Sequence, residues 1–155
     1  MFRRLLALGL ILGSALLVTA CGSSSPTPAR TAPASLPGTS WTLGAQGGTA
    51  PAARALPTLV FGTDGTVTGN TTCNNYKGTY TSTASAVTFS ALTLTTKQQC
   101  PPETLAVQEG YLTALAGATG WTTQNVESLV PSGVTVLAPV KLALTGASTL
   151  IFTQN

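Results

Sequence analysis

The segment at residues 65–80, Gly-Thr-Val-Thr-Gly-Asn-Thr-Thr-Cys-Asn-Asn-Tyr-Lys-Gly-Thr-Tyr, carries the clearest structural signals of this chain. The Asp-Gly pair at 64–65 is a strong hairpin signal, and it follows a short apolar run at 58–61. Residues 66–69 therefore form a predicted strand antiparallel to that run. Residues 76–80 form another predicted strand, and because side chains alternate along a strand, both of its tyrosines lie on one face.

Strand and turn signals continue on both sides of this segment, with one helix among them. Residues 44–56 are rich in Gly and Ala and predict a loop. The prolines at 101–102 suit the first turn of a helix, which we expect over residues 102–116. Its amphipathic pattern places on one face Leu105, Val107, Tyr111, Leu112 and Leu115. Further strands are predicted at residues 86–90, 92–95, 134–136, 141–145 and 149–152. Many short antiparallel strands with one helix predict the α+β class, with mostly β structure.

The N-terminal residues predict export and lipid attachment. Two arginines precede sixteen uncharged, mostly apolar residues at 5–20, a run shorter than the ~20 residues of a spanning helix and typical of a signal peptide. Residues 18–21, Val-Thr-Ala-Cys, resemble the lipobox of bacterial lipoproteins, in which the cysteine, here Cys21, receives the lipid. An ordinary signal peptide or a short membrane helix is the alternative. Two or three acyl chains give stable anchoring where one does not.

The chain is therefore divided into three predicted parts. Residues 1–20 form a lipoprotein signal peptide, residues 21–37 a lipid-anchored linker rich in Pro and Ser, and residues 38–155 the folded domain. The expected location is the cell envelope, outside the cytoplasm and bound to the membrane through the lipid on Cys21. Because Gly22 replaces the Asp that retains some lipoproteins at the inner membrane, we expect the outer membrane, facing the periplasm, in an organism with two membranes.

Composition and charge argue against several functions. Without the two leader arginines the chain retains five basic and four acidic residues, so it has no basic surface for nucleic acid. It contains no histidine, and no metal site, cofactor motif or phosphate-binding loop is recognisable. Glu103 and Glu109 are six residues apart on the predicted helix, so they do not converge as an acid and base pair. We therefore expect no enzymatic activity, no metal and no cofactor.

The cysteines predict one disulfide. If Cys21 carries lipid, Cys73 and Cys100 remain, in a compartment where disulfides persist. Two free thiols, or a thiol nucleophile, are the alternatives, although a cysteine nucleophile usually needs a base such as histidine.

From about Thr39 to Phe152 the chain resembles the META domain, or HslJ-like, family. The resemblance rests on Trp41-Thr42-Leu43, on residues 65–80 with their C-N-x-Y-x-G-x-Y pattern, on Cys100-Pro101, and on the final pair of strands. It implies a strongly curved antiparallel sheet packed with one helix. The family is associated with stress tolerance, antibiotic susceptibility, motility or secretion, and no reaction is implied. Residues 121–140 are longer than the usual link, so Trp121 and residues 134–136 predict an added loop or hairpin.

Two functional hypotheses follow. In the first, the domain is a non-enzymatic module that supports envelope integrity or stress and antibiotic tolerance by binding an unidentified envelope component. In the second, it is an inhibitor that captures a secreted hydrolase, such as a lysozyme, through residues 121–140. The candidate residues, which serve either as a polar binding surface or as structural elements, are Asn74, Asn75, Tyr76, Lys77 and Tyr80.

Overall fold

The computed structural model describes residues 31–52, 55–125 and 139–155, and shows a curved antiparallel sheet with a single helix. The predicted signal peptide and Cys21 lie outside the described residues. In the described part of the chain no helix is long and apolar enough to cross a membrane. The elements are β1 Ser40–Gln46, β2 Thr58–Phe61, β3 Thr66–Asn70, β4 Asn75–Ser82, β5 Val87–Leu94, α1 Pro102–Ala116, β6 Ala118–Asn125, β7 Val140–Gly146 and β8 Leu150–Gln154.

The eight strands form one sheet in the order β5-β4-β3-β2-β1-β8-β7-β6, and all neighbours are antiparallel. The sheet curves until its two edge strands meet at the bridge between Ala86 and Gly120. Beside this bridge the backbone N–H of Trp121 donates to the carbonyl oxygen of Ser85 at 2.9 Å. The result is a half-barrel whose interior is filled with side chains. The α+β class and the curved antiparallel sheet are thus confirmed.

The hairpin between β2 and β3 forms as predicted. Phe61 pairs with Val67, and the Asp64 carboxylate accepts the backbone N–H of Thr66 at 3.0 Å and its hydroxyl at 2.6 Å. These two hydrogen bonds lower the pKa of the Asp64 carboxyl, which is fully exposed. The turn is therefore held by its own polar side chains.

Three strand predictions need correction. The two strands expected at 86–90 and 92–95 are one strand, β5, with a register shift opposite Lys77–Thr79 and a positive φ of 53° at Ala91. The bulge changes the alternation of side chains, and the sequence pattern therefore resembles two strands. β1 extends to Gln46, into the predicted loop at 44–56. β6, at residues 118–125, was not predicted as a strand; the strand expected at 134–136 lies outside the described residues.

The helix α1 occupies the predicted residues, but its amphipathic character is not confirmed. Leu105, expected on the apolar face, is 39% exposed, whereas the polar side chain of Gln108 is buried. Tyr111, Ala114 and Leu115 are the other buried helix residues. The helix packs partly against polar groups of a turn, so its buried side is not purely apolar.

The core fills the half-barrel with aromatic and aliphatic side chains. The Phe61 and Tyr80 rings pack edge to face with centroids 4.8 Å apart, and Tyr111 packs similarly against Tyr76 and Phe152. The largest fully buried side chains are Trp41, Tyr76, Tyr111, Phe61, Phe152, Leu36, Leu43, Leu59, Leu115, Leu142, Leu144 and Leu150.

Residues just before β1 also belong to the packed structure. Leu36 is fully buried, and its carbonyl oxygen accepts the hydroxyl of Thr39 at 2.6 Å. The carbonyl oxygen of Pro33 accepts the hydroxyl of Thr123 from β6 at 3.0 Å. Packing thus extends several residues towards the N-terminus from residue 38, into the stretch that the sequence predicts as linker.

The half-barrel has two distinct ends. At one end, which we call the entry end, residues 33–39 lie beside the turn at 62–65, since the N–H of Gly38 donates to the carbonyl oxygen of Phe61 at 2.8 Å. The turn at 83–86 lies at this end as well, because β4 runs from its pairing with β3 down to Ser82. The opposite end, the helix end, contains Gln46, the turn at 71–74 and α1, because the Gln46 amide donates to the carbonyl oxygen of Gly110 at 3.0 Å.

Candidate functional site

The predicted candidate residues divide into two groups along β4 and the turn before it. Asn74, Tyr76 and Tyr80 are buried, with 3%, 1% and 6% of their surfaces exposed, whereas Asn75 and Lys77 are exposed on the outer face. The structure therefore does not bring the five together as one surface.

Asn74 is the centre of a hydrogen-bonded cluster between the turn at 71–74 and the helix. Its amide nitrogen donates to Gln108 Oε1 at 3.1 Å, and lies 3.1 Å from the Cys73 sulfur. Its amide oxygen accepts the backbone N–H of Gln98 at 2.7 Å and the hydroxyl of Thr96 at 3.0 Å. Because these contacts use both ends of the amide, Asn74 is fully engaged in structural bonds.

Thr71 and Gln108 complete this cluster. The fully buried Thr71 hydroxyl donates to Gln108 Oε1 at 2.8 Å and accepts the backbone N–H of Asn74 at 3.1 Å. Thr72, beside them, has a φ of 85°, which a β-branched residue rarely adopts. A buried polar network with all its members bonded fixes one arrangement of the groups it joins. Here it fixes the position of α1 against the turn.

Tyr76 and Tyr111 form a second link between sheet and helix. Their hydroxyls are 2.9 Å apart, and they lie 2.9 and 3.2 Å respectively from the carbonyl oxygen of Thr58. Burial raises the pKa of the Tyr76 phenol and that of the Tyr111 phenol well above the usual value, because a buried phenolate loses its hydration. Both groups are therefore neutral hydrogen-bonding residues at physiological pH.

The predicted disulfide between Cys73 and Cys100 is confirmed, with 6.1 Å between the two Cα atoms. It joins the 71–74 turn to the residues that lead into α1. A loop closed over a separation of 27 residues corresponds to a stabilisation of ~3.5 kcal/mol in the chain-entropy description. The disulfide and the Asn74 cluster thus hold the same two segments together.

Two glycines of the 65–80 segment are required by close approach. A Cβ atom at Gly69 would overlap the carbonyl oxygen of Thr58 and lie 2.7 Å from the Tyr76 hydroxyl. A Cβ atom at Gly78 would lie 2.8 Å from the carbonyl oxygen of Ser90 on the bulged β5. Tyr80, at the end of the segment, donates its hydroxyl to the carbonyl oxygen of Gly62 at 2.8 Å. The spacing of Gly, Cys, Asn and Tyr in this segment is therefore explained by contacts that hold the fold.

The acidic side chains of the helix do not form a reactive site. Glu103 and Glu109 are both exposed. Over the residues that the structure describes, no three Cys, Asp or Glu side chains lie close enough together to bind a metal ion.

A shallow groove lies at the helix end, between the chain after β1 and the outer side of α1. Its volume is about 370 Å³. Ala50, Pro51, Ala106 and Val107 provide an uncharged and largely apolar lining, and Gln46 lies at its side. The groove can accept a small apolar group, and the described residues that line it include no group for acid–base chemistry.

The sequence matches the family model described as the META domain over residues 34–145. The chain belongs to the META domain family. Among solved structures, this META domain is similar to a protein from Burkholderia xenovorans determined by NMR, with a TM-score of 0.55 and 25% identity over 84% of this chain and 96% of that one.

Two further structures share less of the sequence. A second NMR structure has a TM-score of 0.51 and 18% identity, covering 76% of this chain and 90% of that one, which shows the fold alone. A DUF4847 family protein from Bacteroides vulgatus has a TM-score of 0.44 and 17% identity, covering 64% and 59% of the two chains. No curated protein sequence gives a significant match.

Several important residues of this META domain were missed by sequence reasoning. Gln108 lies outside the predicted apolar arc of the helix, and no buried role is predicted for Thr71. Trp121, assigned to the added loop or hairpin, is 5% exposed in β6 and donates its indole N–H to the carbonyl oxygen of Thr83 at 2.9 Å. A buried polar residue gives no signal in hydrophobic periodicity. The buried position of Gln108 could have been predicted only by asking which side chain accepts the hydrogen bond of the Asn74 amide.

Proposed function

We propose that this protein is an exported, lipid-anchored envelope protein whose META domain acts without catalysis and contributes to envelope integrity or to stress and antibiotic tolerance. The observation that carries the proposal is that the residues of the family signature hold the fold together. Its Cys73, Asn74, Tyr76 and Tyr80 are buried and bonded to other parts of the fold. A signature that serves folding supports a stable binding or spacing module rather than an enzyme.

The anchor rests on the sequence of the leader. A thioether-linked lipid on Cys21 would place the domain outside the cytoplasm, where the Cys73–Cys100 disulfide is stable. Metabolic labelling with an alkyne fatty acid tests this directly. The natural protein should incorporate the label and fractionate with membranes, while Cys21→Ala should do neither. Equal labelling of the two proteins would refute the anchor.

The functional test is complementation of a deletion strain exposed to heat and to envelope-acting antibiotics. The natural gene should restore survival, and Cys21→Ala should restore it poorly because the domain is released from the membrane. Asn75→Ala and Lys77→Gln change exposed residues and should complement fully if these residues are only part of a solvated strand face. A deletion strain with unchanged survival under all of these conditions would refute the proposed role.

The inhibitor hypothesis predicts a contact loop at residues 121–140, and residues 121–125 of this segment belong to strand β6. Trp121 is buried in β6 and does not belong to an exposed surface. Residues 126–138 lie outside the described residues, and capture of a secreted hydrolase through them stays a prediction. A purified domain that leaves lysozyme activity unchanged at equimolar and excess concentrations would exclude the lysozyme-type inhibitor.

A further inference from the structure

The two halves of the Cys73–Cys100 disulfide differ in their exposure to solvent. Cys73 belongs to the turn at 71–74 and exposes only 4% of its surface. Cys100 is partly exposed, and its neighbours on both sides, at residues 97–99 and 101–103, are all exposed. Thiol–disulfide exchange begins when a thiolate attacks one of the two sulfurs. The sulfur of Cys100 is therefore the one that a dissolved thiol can reach.

The surroundings of Cys73 suit the sulfur that leaves in such an exchange. When a thiolate attacks Cys100, the S–S bond breaks and its electron pair, with a negative charge, remains on the Cys73 sulfur. The side-chain amide of Asn74 donates a hydrogen bond to this sulfur at 3.1 Å. A hydrogen bond to an ionised acceptor is stronger than one to a neutral acceptor. The amide therefore stabilises the leaving thiolate more than it stabilises the disulfide.

The fold also accommodates Cys73 in its reduced form. The sulfur of Cys73 lies 3.5 Å from the carbonyl oxygen of Gln98. A disulfide sulfur has no hydrogen to donate to this oxygen, whereas a thiol can donate one. The hydrogen bonds that Asn74 makes with Gln108, Thr96 and the backbone N–H of Gln98 do not involve the disulfide. These bonds therefore keep the turn at its place after the S–S bond opens.

We propose that Cys100 is a site of reversible modification by low-molecular-mass thiols, at which the thiol bonds to Cys100 while Cys73 leaves and stays inside the folded domain. In the first step a thiolate bonds to the Cys100 sulfur, and Cys73 takes the electron pair and then a proton from water. In the second step another thiolate attacks the outer sulfur of the mixed disulfide and releases Cys100 as a thiolate. Two external thiols are thereby oxidised to one disulfide while the protein disulfide gains two electrons. This exchange does not depend on the lipid anchor.

The test uses the full protein, purified without reductant, and glutathione as the external thiol. The reaction is stopped at low conversion with excess N-ethylmaleimide, which blocks every thiol that is free at that moment. Trypsin cleaves after Lys and Arg, and so separates Cys73, in peptide 55–77, from Cys100, in peptide 98–141. Mass spectrometry then locates the glutathione and the maleimide. We expect glutathione on Cys100 with maleimide on Cys73, in at least about tenfold excess over the reverse arrangement.

Three results would overturn the proposal. Equal amounts of glutathione on the two cysteines, or more on Cys73, would show that Cys100 is not the preferred point of attack. No reaction of the folded protein, under conditions in which the protein unfolded in urea reacts, would show that the disulfide is closed to thiols. Circular dichroism of the fully reduced protein should match that of the oxidised protein, and a reduced protein that unfolds would exclude exchange within the fold.

A matched pair of variants compares the two thiols separately. Cys73→Ser leaves Cys100 free and Cys100→Ser leaves Cys73 free, while Cys21 is the same in both. With a chromogenic thiol reagent, folded Cys73→Ser should react at least about tenfold faster than folded Cys100→Ser, and the two should react equally in urea. Equal rates in the folded variants would also overturn the proposal. The glutathione experiment needs no substitution, and it decides the proposal by itself if circular dichroism shows either variant to be unfolded.

Discussion

Replacement of Asn74 by Ala should destabilise the domain strongly, whereas the same replacement at the adjacent Asn75 should have little effect. The two residues are chemically identical and differ in their surroundings. Asn74 makes three hydrogen bonds to nitrogen- or oxygen-containing groups, with Gln108, Gln98 and Thr96. The side chain of Asn75 makes one hydrogen bond, accepting the amide of Asn70 at 2.9 Å on the exposed surface.

The magnitude follows from these contacts. Each net hydrogen bond contributes about 1 kcal/mol, so Asn74→Ala should cost ~3 kcal/mol, with a further penalty if Gln108 loses part of its pairing in the interior. For about 120 folded residues the entropy of unfolding is ~0.25 kcal/mol/K, and a loss of ~3 kcal/mol lowers Tm by about 12 °C. Asn75→Ala should cost less than about 0.5 kcal/mol, or ~2 °C.

The assay is thermal and urea unfolding of residues 31–155, followed by circular dichroism, with the disulfide confirmed intact in each variant. A double-mutant cycle with Gln108→Ala measures how strongly the two side chains are coupled, and neighbours in one network should show a coupling of about 0.5–3 kcal/mol. Equal shifts for Asn74→Ala and Asn75→Ala, or no coupling to Gln108, would refute the assignment of Asn74 as the link between turn and helix.

Three other predictions concern the same half-barrel. Burial holds the pKa of the Tyr76 and Tyr111 phenols above the value of about 10 that they have in the unfolded chain. Their contribution to stability is therefore complete below pH ~10 and is lost as the pH rises further. Urea unfolding from pH 8 to pH 11.5 should show this decline in stability, and Tyr76→Phe should make the decline shallower. Gly69→Ala should cost several kcal/mol, because its Cβ would overlap the carbonyl oxygen of Thr58. Gly110→Ala should raise stability by about 0.5–1 kcal/mol, because its Cβ would meet only an ordinary contact at 3.6 Å. Equal unfolding midpoints for the two variants would contradict the close approach of Gly69 to Thr58. Leu36→Ala should cost about 2–5 kcal/mol in chemical denaturation as a core residue, and an unchanged midpoint would show that it belongs to the linker.

Local signals predicted the hairpin strands and the helix bounds well. The Asp-Gly turn, the alternation along β4 and the prolines before α1 all act within a few residues, and the structure confirms each of them. The disulfide could also be predicted, because the number of cysteines and the expected compartment limit the alternatives.

Non-local features were not accessible in the same way. β6 begins with Ala, Thr and Gly and has weak strand signals, so its place depends on pairing with the distant β7. The buried side of α1 is set by the polar turn that it covers, and Gln108 therefore replaces Leu105 on that side. In both cases the partner, and not the segment itself, determines the structure.

The pairing of β1 with β8 joins the first strand of the domain to the last. Their contact includes the hydrogen bond between Thr42 and Asn155, 113 residues apart in the sequence. The sheet therefore cannot be completed until β8 has been synthesised, because the last strand of the domain pairs with the first. In an exported protein, as proposed above, this long-range pairing leaves the sheet incomplete until the last strand is available, and Cys73 and Cys100 both lie between the two strands that complete it.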